Sequence, residues 1–144
     1  SNTVASSQTL VIRRDVLDAI GGWDVDMPRL VDYDCVIRLA RKGPLAFVDE
    51  PLVLQFFSHD SMTHNRDLRV RARERIIIKN SDLLAQYPGA QAHIYRVIAG
   101  EHRLLGNFSQ ARKACVQALR LRPANLRLWV LAAYLTFRVA FAGR

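Results

Sequence analysis

The chain holds too little of three things to be a disulfide scaffold, a membrane span or a disordered tail. Its two cysteines, Cys35 and Cys115, lie far apart and form no Cys-x-x-Cys pair. That excludes a disulfide framework and a zinc ribbon, and it points to a reducing compartment. No uncharged apolar run reaches the ~18 residues that a membrane span requires. The opening Ser1-Asn2-Thr3 has neither the basic region nor the apolar core of a signal peptide. The absence of an initiating Met leads us to expect a piece of a longer protein. Acidic residues are also scarce, 13 Asp+Glu against 21 Lys+Arg, for a formal net charge of +8. What is abundant is apolar: 50% hydrophobic residues with 24% charged excludes a mostly disordered chain. A length of 144 residues suits one compact domain or two small units with cores of their own.

The charge divides the chain. Up to His64 six basic residues face nine acidic ones, a net of −3, whereas from Asn65 onward fifteen basic residues face four acidic ones, a net of +11. Such a shift argues for two functional halves, 1–64 and 65–144.

In the first half, residues 8–12 (QTLVI) are short and β-prone, and 13–20 place Val16, Leu17 and Ile20 at helical spacing before Gly21-Gly22. Pro28 makes 23–31 a loop. Residues 32–42 read as a helix with Cys35, Val36, Leu39 and Ala40 on one face, ended by Gly43-Pro44. Two apolar runs, 45–48 and 52–57, read as strands or extended segments around Asp49-Glu50-Pro51. The second half is helical throughout, with helices expected over 66–86, 91–105, 109–121 and 126–142, broken by Tyr87-Pro88-Gly89, Gly106-Asn107 and Pro123. The fold class that follows is α+β, predominantly helical.

Tyr95, Ala99, Leu105-Gly106-Asn107-Phe108, Ala111, Ala118-Leu119, Leu121 and Pro123 carry the spacing of a repeat. Over about residues 92–125 it resembles one tetratricopeptide repeat at the family's ~34-residue period, with Trp129 and Ala133 restarting the phase of Tyr95 and Ala99. Such a hairpin serves either as a protein-interaction groove or as a scaffold capping the preceding domain. The last helix is apolar on nearly every face, with Arg138 as the charge in its body. That suits a membrane surface, a missing partner helix, or a dimer, and self-association is favoured. The run Arg66, Arg69, Arg71, Arg73, Arg75, Lys79 is interleaved with apolar residues and lacks an aromatic stacking platform, which argues against nucleic acid as a partner.

The most informative stretch is 12–24, Ile-Arg-Arg-Asp-Val-Leu-Asp-Ala-Ile-Gly-Gly-Trp-Asp. It is followed by Pro28-Arg29-Leu30-Val31-Asp32-Tyr33-Asp34 and by Arg38-Leu39. This ordered series resembles the family 2 glycosyltransferases of GT-A fold, where Arg-Arg, Gly-Gly-Phe-Asp and Glu-Asp-Tyr-Asp lead into a helix bearing Arg-Leu. The resemblance covers about residues 6–64, the acceptor-side C-terminal part of a catalytic domain, and implies short GT-A strands here. It further implies an inverting transfer from a nucleotide-diphosphate sugar to an acceptor hydroxyl, with Mn²⁺ or Mg²⁺ in the parent enzyme. The nucleotide-binding half would precede Ser1, so this piece alone is expected to be inactive and to hold no metal tightly.

By motif position the general base is Asp32, a carboxylate suited to deprotonating a hydroxyl and stabilised as the anion at a helix N-terminus. The same residue would also serve as a plain N-cap. Val31 stands where the family has Glu. Trp23, Asp24, Asp34 and Arg38 are the acceptor-side candidates. Trp23 is suited to lie under a sugar ring or to pack in the core, and Asp34 and Arg38 are spaced for a local ion pair. His59 is the metal candidate, with His64 second, although isolated histidines lack the ligand count for tight binding. The reading from a different class is a non-catalytic helical interaction module whose first half is a remnant. The partners expected are a nucleotide-sugar donor, a hydroxyl acceptor and a second copy of the chain. The expected location is cytoplasmic, with peripheral membrane association open.

Overall fold

A computed structural model describes residues 6–54 and 65–141. The chain divides into two units, Ser1–His64 and Asn65–Arg144. The described residues are 68% helical and form no strand, which corrects the α+β expectation and the GT-A strands that went with it. Residues 8–12 give a 3-10 turn, Ser7–Thr9, and then extended chain. Residues 44–49 take no regular secondary structure and, among the described residues, pair with no strand; Leu45, Phe47, Val48, Leu52 and Leu54 stand exposed, and 55–57 of the second expected run lie outside the described residues. The physical reason is pairing: a strand is held by ladder hydrogen bonds and a covered face, and an apolar run with neither is not one.

In the first unit, helix α1 (Arg14–Ala19) is followed by α2 (Val31–Ala40). Gly21 and Gly22 take φ values of +77° and +68°. Gly21 N–H donates to the Asp18 carbonyl and Gly22 N–H to the Leu17 carbonyl. This is the paired closure that satisfies the last carbonyls of a helix and requires a left-handed residue, so glycine is the residue that fits. Met27, Cys35 and Leu39 are the buried apolar residues.

The second unit contains α3 (Arg66–Lys79), α4 (Ser81–Gln86), α5 (Pro88–Leu104), α6 (Phe108–Leu121) and α7 (Leu126–Phe141). The single helix expected over 66–86 is two. Asn80, 2% exposed, turns its Nδ2 onto the Ile76 carbonyl while its own carbonyl accepts from Leu84 N–H. A short amide side chain that bonds the backbone in this way competes with helix propagation. Pro88 begins α5 rather than ending the previous helix, because its missing N–H costs nothing in the first turn.

α5 packs on α6, α6 on α7, and α3 on α5. Small residues allow the first of these approaches: Ala92 and Ala99 on α5 and Ala111, Ala114 and Ala118 on α6 are all buried. Gly106, at φ +77°, repeats the glycine closure of α1 at the end of α5, with its N–H on the Arg103 carbonyl and Asn107 N–H on that of His102. Leu128 and Leu135 bury the inner face of α7, whereas Leu126, Trp129, Val130, Phe137 and Phe141 are exposed. Among the described residues no helix is long and apolar enough to cross a membrane.

One carboxylate joins α3 to α5. Glu101, 8% exposed, receives Arg66 Nη1 at 3.0 Å and Arg69 Nη2 at 3.0 Å on its two oxygens, with Arg73 Nη1 at 4.0 Å. The arginines are three and four residues apart, one face of α3, and so converge on a single point. Replacing Glu101 with Gln leaves three partly buried cations without their anion. We expect it to lower stability by about 2–3 kcal/mol in urea titration. Asp67→Asn, which breaks only the exposed Asp67–Arg71 pair, is expected to cost under about 0.5 kcal/mol.

Candidate acceptor-side site

The residues singled out between Trp23 and Arg38 gather at the loop between α1 and α2 and on the first turns of α2. Asp32 is the second residue of α2 rather than its N-cap, the cap position being held by Leu30. Leu30 has φ +57° and ψ +35°, a left-handed conformation that costs a branched residue roughly 1–2 kcal/mol. Its carbonyl nevertheless accepts the first helical bond, from Asp34 N–H at 3.0 Å. The kink delivers Val31 and Asp32 abruptly into the helix. Asp32 is partly exposed, and its Oδ1 accepts the Tyr33 N–H at 2.8 Å. Only one carboxylate oxygen is thereby engaged, in a helical turn whose unsatisfied N–H groups favour an anion.

Asp34 and Arg38 lie beneath this turn. Asp34 is fully buried, and its Oδ2 accepts from Arg38 Nε at 2.8 Å. The spacing had shown that pair; it had not shown what the rest of the guanidinium does. Arg38 Nη1 donates to the carbonyls of Ile20 and Gly22, each at 2.7 Å. One side chain therefore ties the glycine closure of α1 to the first turns of α2. A planar fork with fixed donors performs this task and an ammonium does not. The signal for it in the sequence was the pairing of Gly-Gly with a later Arg, which no local spacing rule reads.

Trp23 is 40% exposed beside the closure. Asp24 is engaged in a turn: Oδ1 accepts Asp26 N–H at 3.0 Å and its carbonyl accepts Met27 N–H at 3.2 Å. At the start of α1, the Arg13 guanidinium beside Asp15, at 2.6 Å, holds that exposed carboxyl below the usual carboxylate range. Burial pushes the Cys35 thiol up, as it does the Cys115 thiol in the second unit.

His59 and His64 lie outside the described residues. Among the described residues no three His, Cys, Asp or Glu side chains come together as metal donors. Asp24 is committed to a turn and Asp34 to Arg38, so the described donor set does not fit a divalent metal. No protein-family model, no curated protein and no solved structure matches this chain.

Two outcomes follow from this geometry. Arg38→Lys keeps the charge but cannot hold both carbonyls and Asp34, and should cost about 2–3 kcal/mol in thermal or urea denaturation. Because the thiolate is the reactive species, Cys35 and Cys115 are both expected to resist an aromatic disulfide reagent near neutral pH and to react fully in urea. Rapid labelling of either thiol in the folded chain would contradict its burial.

Proposed function

We propose that the first unit is the acceptor-side part of an inverting glycosyltransferase of the family 2 type, in which Asp32 is the general base. The observation that carries the reading is the placement of Asp32. It is a partly exposed carboxylate with one oxygen engaged, in the N-terminal turn of α2, two residues after the strained Leu30. Strain of this kind persists only where surrounding structure enforces it, and it recurs at functional sites. Here the enforcing structure is the Arg38 clamp on Ile20, Gly22 and Asp34.

In the proposed reaction the acceptor hydroxyl donates its hydrogen bond to Asp32 Oδ2. As its oxygen attacks the anomeric carbon of the donor sugar, the proton passes to that carboxylate and the bond to the nucleoside diphosphate breaks. The carboxylate sits in the first turn of α2, where the free N–H groups of a helix face an anion, and a carboxylate is suited to take a proton from a hydroxyl. Trp23, partly exposed, is suited to pack against a sugar ring. Asp34 and Arg38 act by positioning, since both are spent on the scaffold under the turn. Donor binding, metal dependence and a cytoplasmic location belong to the parent protein in this reading.

The test is sugar transfer by the parent protein with a panel of nucleotide sugars and Mn²⁺ or Mg²⁺. Asp32→Asn should lower turnover by roughly 10²–10⁴-fold with unchanged thermal stability. Turnover close to wild type in that variant would remove Asp32 from the role of base.

A further inference from the structure

The second unit contains a groove of about 670 Å³ that includes none of the acceptor-side residues. Arg96, Gly100 and Arg103 line it from α5, and Arg127 and Tyr134 from α7, with Asn125 at the start of α7. Leu128 and Leu131 supply apolar surface. The volume lies within the ~300–1,000 Å³ of small-ligand sites.

Among the described residues no carboxylate pairs with the arginines of this groove. Glu101 is the last acidic residue of the sequence, and none follows it through Arg144. Glu101 itself faces Arg66, Arg69 and Arg73. Arg96 makes a 3.4 Å contact with His93 Nδ1. Partial desolvation of that exposed residue's ring and the neighbouring cations Arg96 and Arg73 lower its pKa. No ion pair among the described residues engages Arg96, Arg103 or Arg127. Arg96 and Arg103 are seven residues apart, about 10.5 Å along α5, and Arg127 and Tyr134 are spaced alike on α7.

Gly100 is an independent sign. It sits inside a helix, where glycine costs roughly 0.5–1 kcal/mol against alanine. A Cβ placed there would meet nothing within 4 Å, so no packing constraint in the structure calls for glycine. What its missing side chain leaves is open groove.

We propose that this groove binds a small ligand carrying two or more phosphoryl groups. The polar lining is rich in donors: the three guanidinium groups have no acceptor, and the Asn125 amide and Tyr134 hydroxyl, whose oxygen accepts from Arg138 at 3.4 Å, each have a donor as well as an acceptor. Phosphoryl oxygens are acceptors only and match guanidinium forks two bonds at a time. An extended peptide would bring as many N–H donors as acceptors into a site whose helical walls have no free carbonyls, and those donors would be left unpaired. The site is independent of the glycosyltransferase reading.

The test is calorimetric titration of the 144-residue chain at low ionic strength with tripolyphosphate, and with a glutamate-rich peptide of equal charge. One tripolyphosphate per chain is expected. Arg103→Gln and Arg127→Gln, both exposed side chains, should each weaken it about tenfold or more. Arg112→Gln removes the same charge from α6 outside the groove and should change affinity less than about twofold. Gly100→Leu should abolish binding while thermal stability holds or rises. Equal losses from Arg112→Gln and Arg103→Gln would reduce the effect to overall charge and overturn the proposal. Tighter binding of the peptide, or no binding of tripolyphosphate, would overturn it as well. Sedimentation with phosphatidylcholine vesicles containing phosphatidic acid then separates the sources. Capture that tripolyphosphate reverses assigns a lipid headgroup, and no capture assigns a free phosphorylated ligand.

Discussion

The second unit depends on a single buried carboxylate. Glu101 lies in the last turn of α5 and draws three arginines of α3 to one point. Without it α3 would present a face of like charges to α5. A lone anion among cations is worth more here than in water because the oxygens are largely desolvated and each accepts a charged hydrogen bond. Part of the large positive charge is thus structural. It fixes which face of α3 turns inward, and Val70, Ala72, Ile76 and Ile77 are buried along with it.

The first unit is organised by the opposite arrangement, one cation serving several oxygens. Arg38 collects the Asp34 carboxylate and the carbonyls of Ile20 and Gly22. The clamp ties the glycine turn after α1, itself closed by the Gly21 and Gly22 amides, to the first turns of α2, which begin after the left-handed Leu30. Asp32 follows in the first turn of α2, where its Oδ1 accepts the Tyr33 amide.

The surplus cations of the second unit have a different character from those around Glu101. Arg96, Arg103 and Arg127 border open space beside a helical glycine, whereas Arg66 and Arg69 are closed over a carboxylate. The same residue type thus divides into structural and available cations according to whether an acid reaches it. After Glu101 the chain contains no acid that could.

The sequence alone determined the helices of the second unit to within a few residues, because apolar spacing, Gly106 and Pro123 act locally and need no distant partner. It also determined the end of α1, since only glycine takes the left-handed closure at Gly21, and the Asp34–Arg38 pair, four residues apart on one helix. It misled where structure requires a second segment. The apolar run at 45–48 had strand composition, but a strand exists only against another strand, and none pairs with it among the described residues. Residues 66–86 had helical spacing throughout, yet a buried Asn80 amide divides them. Tertiary structure alone decided the arginine cluster on Glu101, the reach of Arg38 to Ile20 and Gly22, and the opening of Arg96, Arg103 and Arg127 onto one groove. Each of these joins residues on different elements or loops, so its energy comes from a meeting that no local spacing encodes.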